Sequence, residues 1–179
     1  MTCAALIVMT LLAAPPQQMV AFNAARVYVD RKADAVFASA EIPPNIQLSQ
    51  NYQSIVQAML RRSATFRRQC SRIGRHDWLI VTVGPEFSPR ATGATTLIRR
   101  DPRGGLDATV RLTGQGDVVE LIAHEFEHIL EQLDEVDLAA MASRIDTGVR
   151  AASDSGHFET ERAIAAGRIV AREVANARR

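Results

Sequence analysis

The chain has 179 residues, of which 47% are hydrophobic and 23% charged, and its formal net charge is +1. This is the composition of an ordinary globular protein, which excludes a disordered or fibrous chain. The small net charge gives no global attraction to nucleic acid, and a content of two cysteines excludes a framework of internal disulfides.

An apolar segment opens the chain and ends at Pro15-Pro16. Its run of about a dozen apolar residues is too short to span a bilayer and is typical of a secretory signal peptide, although no Lys or Arg precedes it. A buried N-terminal helix is the alternative interpretation. We therefore expect residues 1–22 to be a signal peptide or N-terminal apolar segment of an exported protein, and residues 23–179 to form one domain.

Two helices are predicted in the region that follows. A short strand at 26–30 precedes a break at Pro43-Pro44, because two prolines cannot continue a helix or a central strand. Apolar residues then recur at helical spacing from 51 to 73, with Ser63 as a possible N-cap that divides the segment in two. Cys70 falls on the apolar side and is expected in the core.

Strands are predicted after this helical region, at 78–83, 95–100 and 107–113. The turn-rich sequence at 101–105 predicts a hairpin between the last two. Three strands in succession favour a small, mostly antiparallel sheet.

The remainder of the chain is predicted to be helical. Asp117 and Glu120 have the spacing of a capping box, which predicts a helix at about 118–133. A short helix at 136–145, a loop that begins at Asp146 and a last helix from about 157 to 176 follow. This order of elements indicates an α+β fold.

The helix predicted at 118–133 contains His124-Glu125-Phe126-Glu127-His128. Residues four apart share a helix face, so the two imidazoles can bind one cation, and zinc prefers such ligands while leaving a position for water. Glu125 can then take a proton from that water as a general base. A helix whose histidines face solvent or make core hydrogen bonds is the alternative. Glu127 is expected to point away from the pair and to be solvated.

A catalytic zinc site needs a third ligand. The metzincin pattern would place glycine at 131 and histidine at 134, and the residues there are Glu131 and Asp134, which excludes that class. Several downstream acidic residues remain: Asp137, Asp146, Asp154, Glu159 and Glu161.

Helix geometry favours one of these acidic residues. On a helix that starts at about 157, Glu159 falls on the inward, apolar face, whereas Glu161 falls on the charged face. Because an inward carboxylate needs a cation or another partner, we expect Glu159 to be the ligand. His157 is expected either to donate a hydrogen bond to an oxyanion during catalysis or to cap the helix.

Together, the motif at 124–128 and the later segment Phe158-Glu159-Thr160-Glu161-Arg162-Ala163 resemble the gluzincin branch of the zincin metallopeptidases. The segment Ser63-Ala64-Thr65-Phe66-Arg67 is similar to one in a group of uncharacterised exported bacterial proteins. The resemblance covers roughly residues 60 to 176. It implies a zincin-like fold with a small sheet, an active-site helix and a glutamate helix.

For the site, the resemblance implies His124, His128 and Glu159 as zinc ligands and Glu125 as the base. One position departs from the pattern. Many gluzincins have an aspartate four residues after the ligand glutamate, and this chain has Ala163 there. Because that aspartate supports a ligand, its absence bears on catalytic efficiency.

The expected function is zinc-dependent hydrolysis of peptide bonds in a peptide or protein substrate. An extended substrate is expected to pair with the edge of the sheet. The alternative is a zinc-binding, catalytically inactive exported module with the same fold. A nucleic-acid-binding role is not expected, because the sequence has neither a recognition helix nor a basic stripe.

Overall fold

A computed structural model of the protein describes residues 41–87, 93–102, 104–151 and 157–177. The predicted signal peptide and the strand predicted at 26–30 lie outside these ranges. The described elements, in chain order, are β1 (Ile46–Leu48), α1 (Gln50–Arg62), α2 (Ala64–Gly74), β2 (Leu79–Pro85), β3 (Ala94–Arg100), β4 (Leu106–Leu112), α3 (Val118–Leu133), α4 (Leu138–Ala142), β5 (Val149–Ala151), β6 (Phe158–Thr160) and α5 (Glu161–Asn176). This mixture confirms the α+β class. Among the described residues, every helix is too short or too polar to traverse a lipid bilayer.

The larger sheet has four strands in the order β1-β2-β4-β3. The predicted hairpin is confirmed, since β3 and β4 pair antiparallel. However, β1 pairs parallel with β2, and β2 pairs parallel with β4, so the expectation of a mostly antiparallel sheet is wrong. The hairpin places β3 at the edge and returns β4 to the centre beside β2, which makes these two strands run the same way. The helices α1 and α2 supply the long crossover that a parallel β1–β2 pair requires.

Alternating side chains of the central strands form the sheet side of the core. Leu79, Val81 and Val83 of β2 are fully buried, and Val110 of β4 is buried beside them. The helices supply the other side of this core. Buried and exposed residues alternate along the strands, which is the pattern of a sheet that is covered on one face. Cys70 of α2 is buried there as expected, and this burial raises the pKa of its thiol.

The division of the first helical region at Ser63 is confirmed. The Ser63 side chain accepts a hydrogen bond from the Phe66 backbone nitrogen at 2.9 Å, which is the N-cap contact of α2. Phe66 stacks on Phe126 of α3, with ring centroids 5.4 Å apart. The start of α2 is therefore packed directly behind the histidine motif.

The helix α3, which contains the histidine motif, has the predicted bounds, whereas the last helix starts later than predicted. The N-cap of α3 is Asp117, whose side chain accepts from the Val119 nitrogen at 2.9 Å. Phe158–Thr160 is the strand β6, and it pairs antiparallel with β5, which lies in the predicted loop. The Thr160 side chain accepts from the Ala163 nitrogen at 2.9 Å and so begins α5 after the strand.

Helices α3 and α5 approach each other closely at Gly167. A Cβ atom at that position would lie 2.8 Å from the Glu120 carbonyl oxygen and 3.3 Å from the His124 Cβ. Only glycine leaves room for this approach. The contact brings the segment before α5 towards the histidines of α3.

Candidate metal centre

Three of the predicted site residues, two on α3 and one on β6, come together in the structure. The Nε2 atoms of His124 and His128 lie 3.1 Å apart, and Glu159 Oε2 lies 3.4 Å from His124 Nε2. One ligand atom from each residue can be chosen such that all three lie within 4.8 Å of one another. These side chains can therefore hold a metal ion, as expected from the sequence.

Glu159 reaches this position by a different route from the predicted one. It lies in the middle of β6, ahead of α5, so the expectation that it faces inward from a helix is wrong. The reason is the N-cap at Thr160, which keeps the backbone extended up to that residue. The Glu159 side chain is 49% exposed and points into a cleft from the strand.

Among the described residues, the other acidic residues that the sequence left open do not join the group of His124, His128 and Glu159. Glu161 is exposed as the first residue of α5, and its carboxylate lies against Gly148. Asp137 accepts a hydrogen bond from the Ala140 nitrogen and caps α4. Asp146 is exposed in a turn with φ of 63°, and Asp154 lies outside the described residues.

Glu125 is buried beside the histidines, with 5% of its surface exposed. Thr96 of β3 donates a hydrogen bond from Oγ1 to Glu125 Oε2 at 2.6 Å. Burial raises the pKa of the Glu125 carboxyl, and the Thr96 hydrogen bond and the nearby His128 oppose this rise. The result is a carboxylate of raised basicity, held in place by a neighbouring strand.

The two histidines differ in basicity. Burial and the neighbouring His128 lower the pKa of His124. Burial also acts to lower the pKa of His128, but a hydrogen bond to Glu131 and the nearby carboxylates outweigh it, so this pKa is raised. His128 is therefore the stronger base of the pair.

Glu131 is a site residue that the sequence analysis did not find. It is 2% exposed, and its Oε2 lies 2.8 Å from His128 Nδ1. Thr160 donates from Oγ1 to Glu131 Oε1 at 2.6 Å. A signal was present, because Glu131 is three residues after His128 and therefore lies on the same side of the helix.

Glu127 is buried, so the prediction that it is solvated is wrong. Its carboxylate accepts from Gln69 Nε2 of α2 at 2.7 Å and from Arg162 Nε of α5 at 2.6 Å. Arg162 also pairs with Asp134 at the end of α3, at 2.7 Å. The carboxylate is buried because two helices cover that side of α3, and it links α3 to both.

An open cleft of about 440 Å³ is lined by His128, Glu159 and Glu125. One wall is residues 94–98 of the edge strand β3, and the other is residues 136–139 together with residues 157–159. This volume is within the usual range for ligand sites. His157 is exposed at the cleft wall, and its expected part in catalysis stays a prediction.

Comparison of the chain with protein-family models, with curated proteins and with solved structures gives no match. The likeness to gluzincins therefore stays a prediction, and a function has to be argued from the site itself.

Proposed function

We propose that the protein is a zinc-dependent peptidase of the gluzincin type, with His124, His128 and Glu159 as the metal ligands and Glu125 as the general base. The observation that carries this proposal is the convergence of two imidazole nitrogens and a carboxylate beside a buried glutamate, at a cleft that His128, Glu159 and Glu125 line. If the two histidines had no shared role, there would be no reason for a carboxylate from another element to lie beside them.

Two of the three distances between the ligand atoms fit a tetrahedral ion. Two atoms bound at 2.0–2.1 Å to a tetrahedral zinc ion lie about 3.3 Å apart. The observed separations of 3.1 Å and 3.4 Å are close to this value. The widest pair lies within 4.8 Å, so binding of the ion would have to draw the half-exposed Glu159 side chain closer. Two imidazoles and one carboxylate are also the ligand set of catalytic zinc sites that leave a position for water.

Glu125 carries the proton transfers in this proposal. When bound, zinc supplies Lewis acidity, which acidifies water and polarises a carbonyl group. Glu125 takes one proton from the attacking water as the new carbon–oxygen bond forms, and it gives that proton to the amine nitrogen as the carbon–nitrogen bond breaks. Its raised pKa suits both steps, because the base must also act as an acid. Thr96 holds the carboxylate towards the cleft throughout.

The edge strand β3 offers a way to bind the substrate. It is the last strand of the sheet, so one side of its backbone is unpaired within the sheet, and residues 94–98 line the cleft. An extended peptide can add to such an edge through backbone hydrogen bonds. This mode of binding would place a peptide bond across the cleft without demanding a particular sequence.

The test combines metal analysis with hydrolysis of a mixed peptide library. Purified protein is expected to bind one zinc ion, and His128→Ala to lose it. His76→Ala is the matched control, since His76 packs against Trp78 away from the site and its loss should leave the metal content unchanged. Glu125→Gln is expected to keep the metal and to lose hydrolysis, by about 100-fold or more for a general base.

Two results would contradict the proposal. If wild-type protein binds no zinc, or if the His128→Ala variant binds as much zinc as wild type, the proposed metal site is refuted. Zinc-loaded wild type that cleaves no peptide would favour the inactive binding module instead. Glu120→Gln, a change in the first turn of α3 outside the cleft lining, is the matched control for Glu125→Gln and should retain full activity.

A further inference from the structure

The support of the ligands differs from the pattern that the sequence resembles. Ala163 occupies the position of the supporting aspartate, and it is fully buried in α5. A buried carboxylate is present nevertheless, on α3 itself, in the form of Glu131. Because burying a carboxylate is costly unless its oxygens are satisfied, its contacts indicate what it does.

Both oxygens of Glu131 have a partner. Oε2 lies 2.8 Å from His128 Nδ1, and Oε1 accepts from Thr160 Oγ1 at 2.6 Å. An ionised carboxylate can only accept, so the proton at the first contact belongs to His128 Nδ1. The Nε2 atom of the same ring is then left with a lone pair, and it is this atom that faces His124 at 3.1 Å.

Thr160 connects this contact to the third ligand. It directly follows Glu159 in the chain, and its hydroxyl both donates to Glu131 and accepts from the Ala163 nitrogen at the start of α5. A single side chain therefore ends the strand that carries Glu159, begins the next helix and holds the carboxylate against His128. Any shift of β6 would be transmitted to the His128 ring through two short hydrogen bonds.

We propose that Glu131 and Thr160 are positioning residues that fix His128 with its proton on Nδ1 and couple the orientation of its ring to the strand carrying Glu159. The second part of this inference rests on the proposed metal site, whereas the position of the proton is a property of the metal-free protein. A carboxylate behind a ligand histidine fixes its tautomer and raises its basicity as a ligand.

The first experiment is nitrogen-15 NMR of histidine-labelled, metal-free protein at a pH where His128 is neutral. Wild type is expected to show His128 protonated on Nδ1. Glu131→Met, which fills the volume without a carboxylate, and Thr160→Val, which replaces the hydroxyl with a methyl group and so also removes the cap of α5, should shift the ring towards the other tautomer. Thr160→Ser keeps the hydroxyl and should restore the wild-type spectrum.

The second experiment measures zinc affinity by competition with a chromophoric chelator, together with the absorption spectrum of the cobalt-substituted protein. Glu131→Met and Thr160→Val are each expected to weaken zinc binding, by about 10–100-fold for the former, and to alter the cobalt bands. Because both act through one contact, the double variant should lose less than the product of the single losses. Ser63→Ala, which removes the cap of α2 instead, controls for general destabilisation and should bind zinc normally.

The outcomes separate this inference from the proposed function. Wild type with His128 protonated on Nδ1 that binds no zinc would refute the peptidase and support the assigned tautomer. Wild type that binds zinc, with tautomer and affinity unchanged in both Glu131→Met and Thr160→Val, would refute the positioning role alone. If Glu131→Met does not fold, the pair Thr160→Val and Thr160→Ser gives the same decision.

Discussion

Glu173 of α5 binds the start of α2, and its replacement by glutamine is expected to destabilise the fold in a pH-dependent way. Its carboxylate accepts from the Ser63 hydroxyl, from the Thr65 nitrogen at 3.1 Å and from the Thr65 hydroxyl at 3.0 Å. These donors include an N-terminal helix nitrogen, where negative charge is favourable. Burial acts to raise the pKa of Glu173, but the hydrogen bonds from Ser63 and Thr65 outweigh it and lower that pKa.

Glu173→Gln keeps the shape of the side chain and removes its charge. A hydrogen bond to a charged group contributes about 1.5–3 kcal/mol and one between neutral groups about 0.5–1.5 kcal/mol, so three such bonds could lose about 3–4.5 kcal/mol before other effects are counted. The amide oxygen can still accept from two of the donors, and the site is only partly buried, so screening by solvent reduces the difference. We expect a loss of about 1–2 kcal/mol in the free energy of unfolding at neutral pH.

Urea unfolding of both proteins at a series of pH values tests the reasoning. A carboxyl whose pKa is lowered by folding stabilises the native state above its unfolded pKa, and this contribution is lost as the pH falls through the folded pKa. The difference between wild type and Glu173→Gln should therefore be constant near neutral pH and shrink below about pH 4.3, the ordinary glutamate pKa. A difference that persists unchanged in acid would show that the charge of Glu173 is not the cause.

Further changes address the packing of α5 on α3 and the metal. Gly167→Ala gains about 1 kcal/mol of helix propensity but costs about 1–3 kcal/mol through contact with a backbone oxygen of α3, so urea unfolding should show a net loss; a gain would contradict the close approach. Arg162→Met leaves Glu127 with Gln69 as its hydrogen-bond partner and should lower the free energy of unfolding by about 1–3 kcal/mol, less than for a fully buried ion pair because Arg162 is 39% exposed. Arg168→Met, at an exposed position of the same helix, is the control and should change the free energy of unfolding by less than about 0.5 kcal/mol. Zinc at about one hundred times its dissociation constant should add about 2.7 kcal/mol to the free energy of unfolding of wild type and nothing to His128→Ala; thermal unfolding with and without a chelator measures both.

Local patterns predicted the helices of this fold better than its sheet. The bounds of α3 and the break at Ser63 follow from capping residues and apolar spacing, which act within a few residues. Strand direction depends instead on which strands become neighbours, and no local pattern contains that information. The strand β1 has three residues directly after a proline break, too few for an alternation to be read.

The site divides in the same way. The spacing of His124 and His128 is a local property of a helix, and it predicted correctly that the two rings meet. Glu159 was chosen as a ligand from a helix face that does not exist at that residue. The structure brings it near the histidines from the strand that precedes Thr160, and its role as a ligand stays a prediction. Threonine is a common N-cap, so a later helix start could have been read from the sequence. The burial of Glu127 depends on α2 and α5 both covering α3, which only the tertiary structure contains.

The two residues inside the motif that face away from the cleft explain how α3 is held in place. Phe126 stacks on Phe66 in the core, and Glu127 is bound from one side by Gln69 and from the other by Arg162. Ligand groups must be held to within about half an ångström for a site to work, so α3 has to be fixed in rotation as well as in position. A buried carboxylate bound to two neighbouring helices restricts rotation of α3 about its own axis, which apolar packing alone does less well because apolar contacts are not directional. The hydrogen bonds that offset the cost of burying Glu127 therefore also hold the candidate site together, because rotation of α3 would move both histidines away from Glu159.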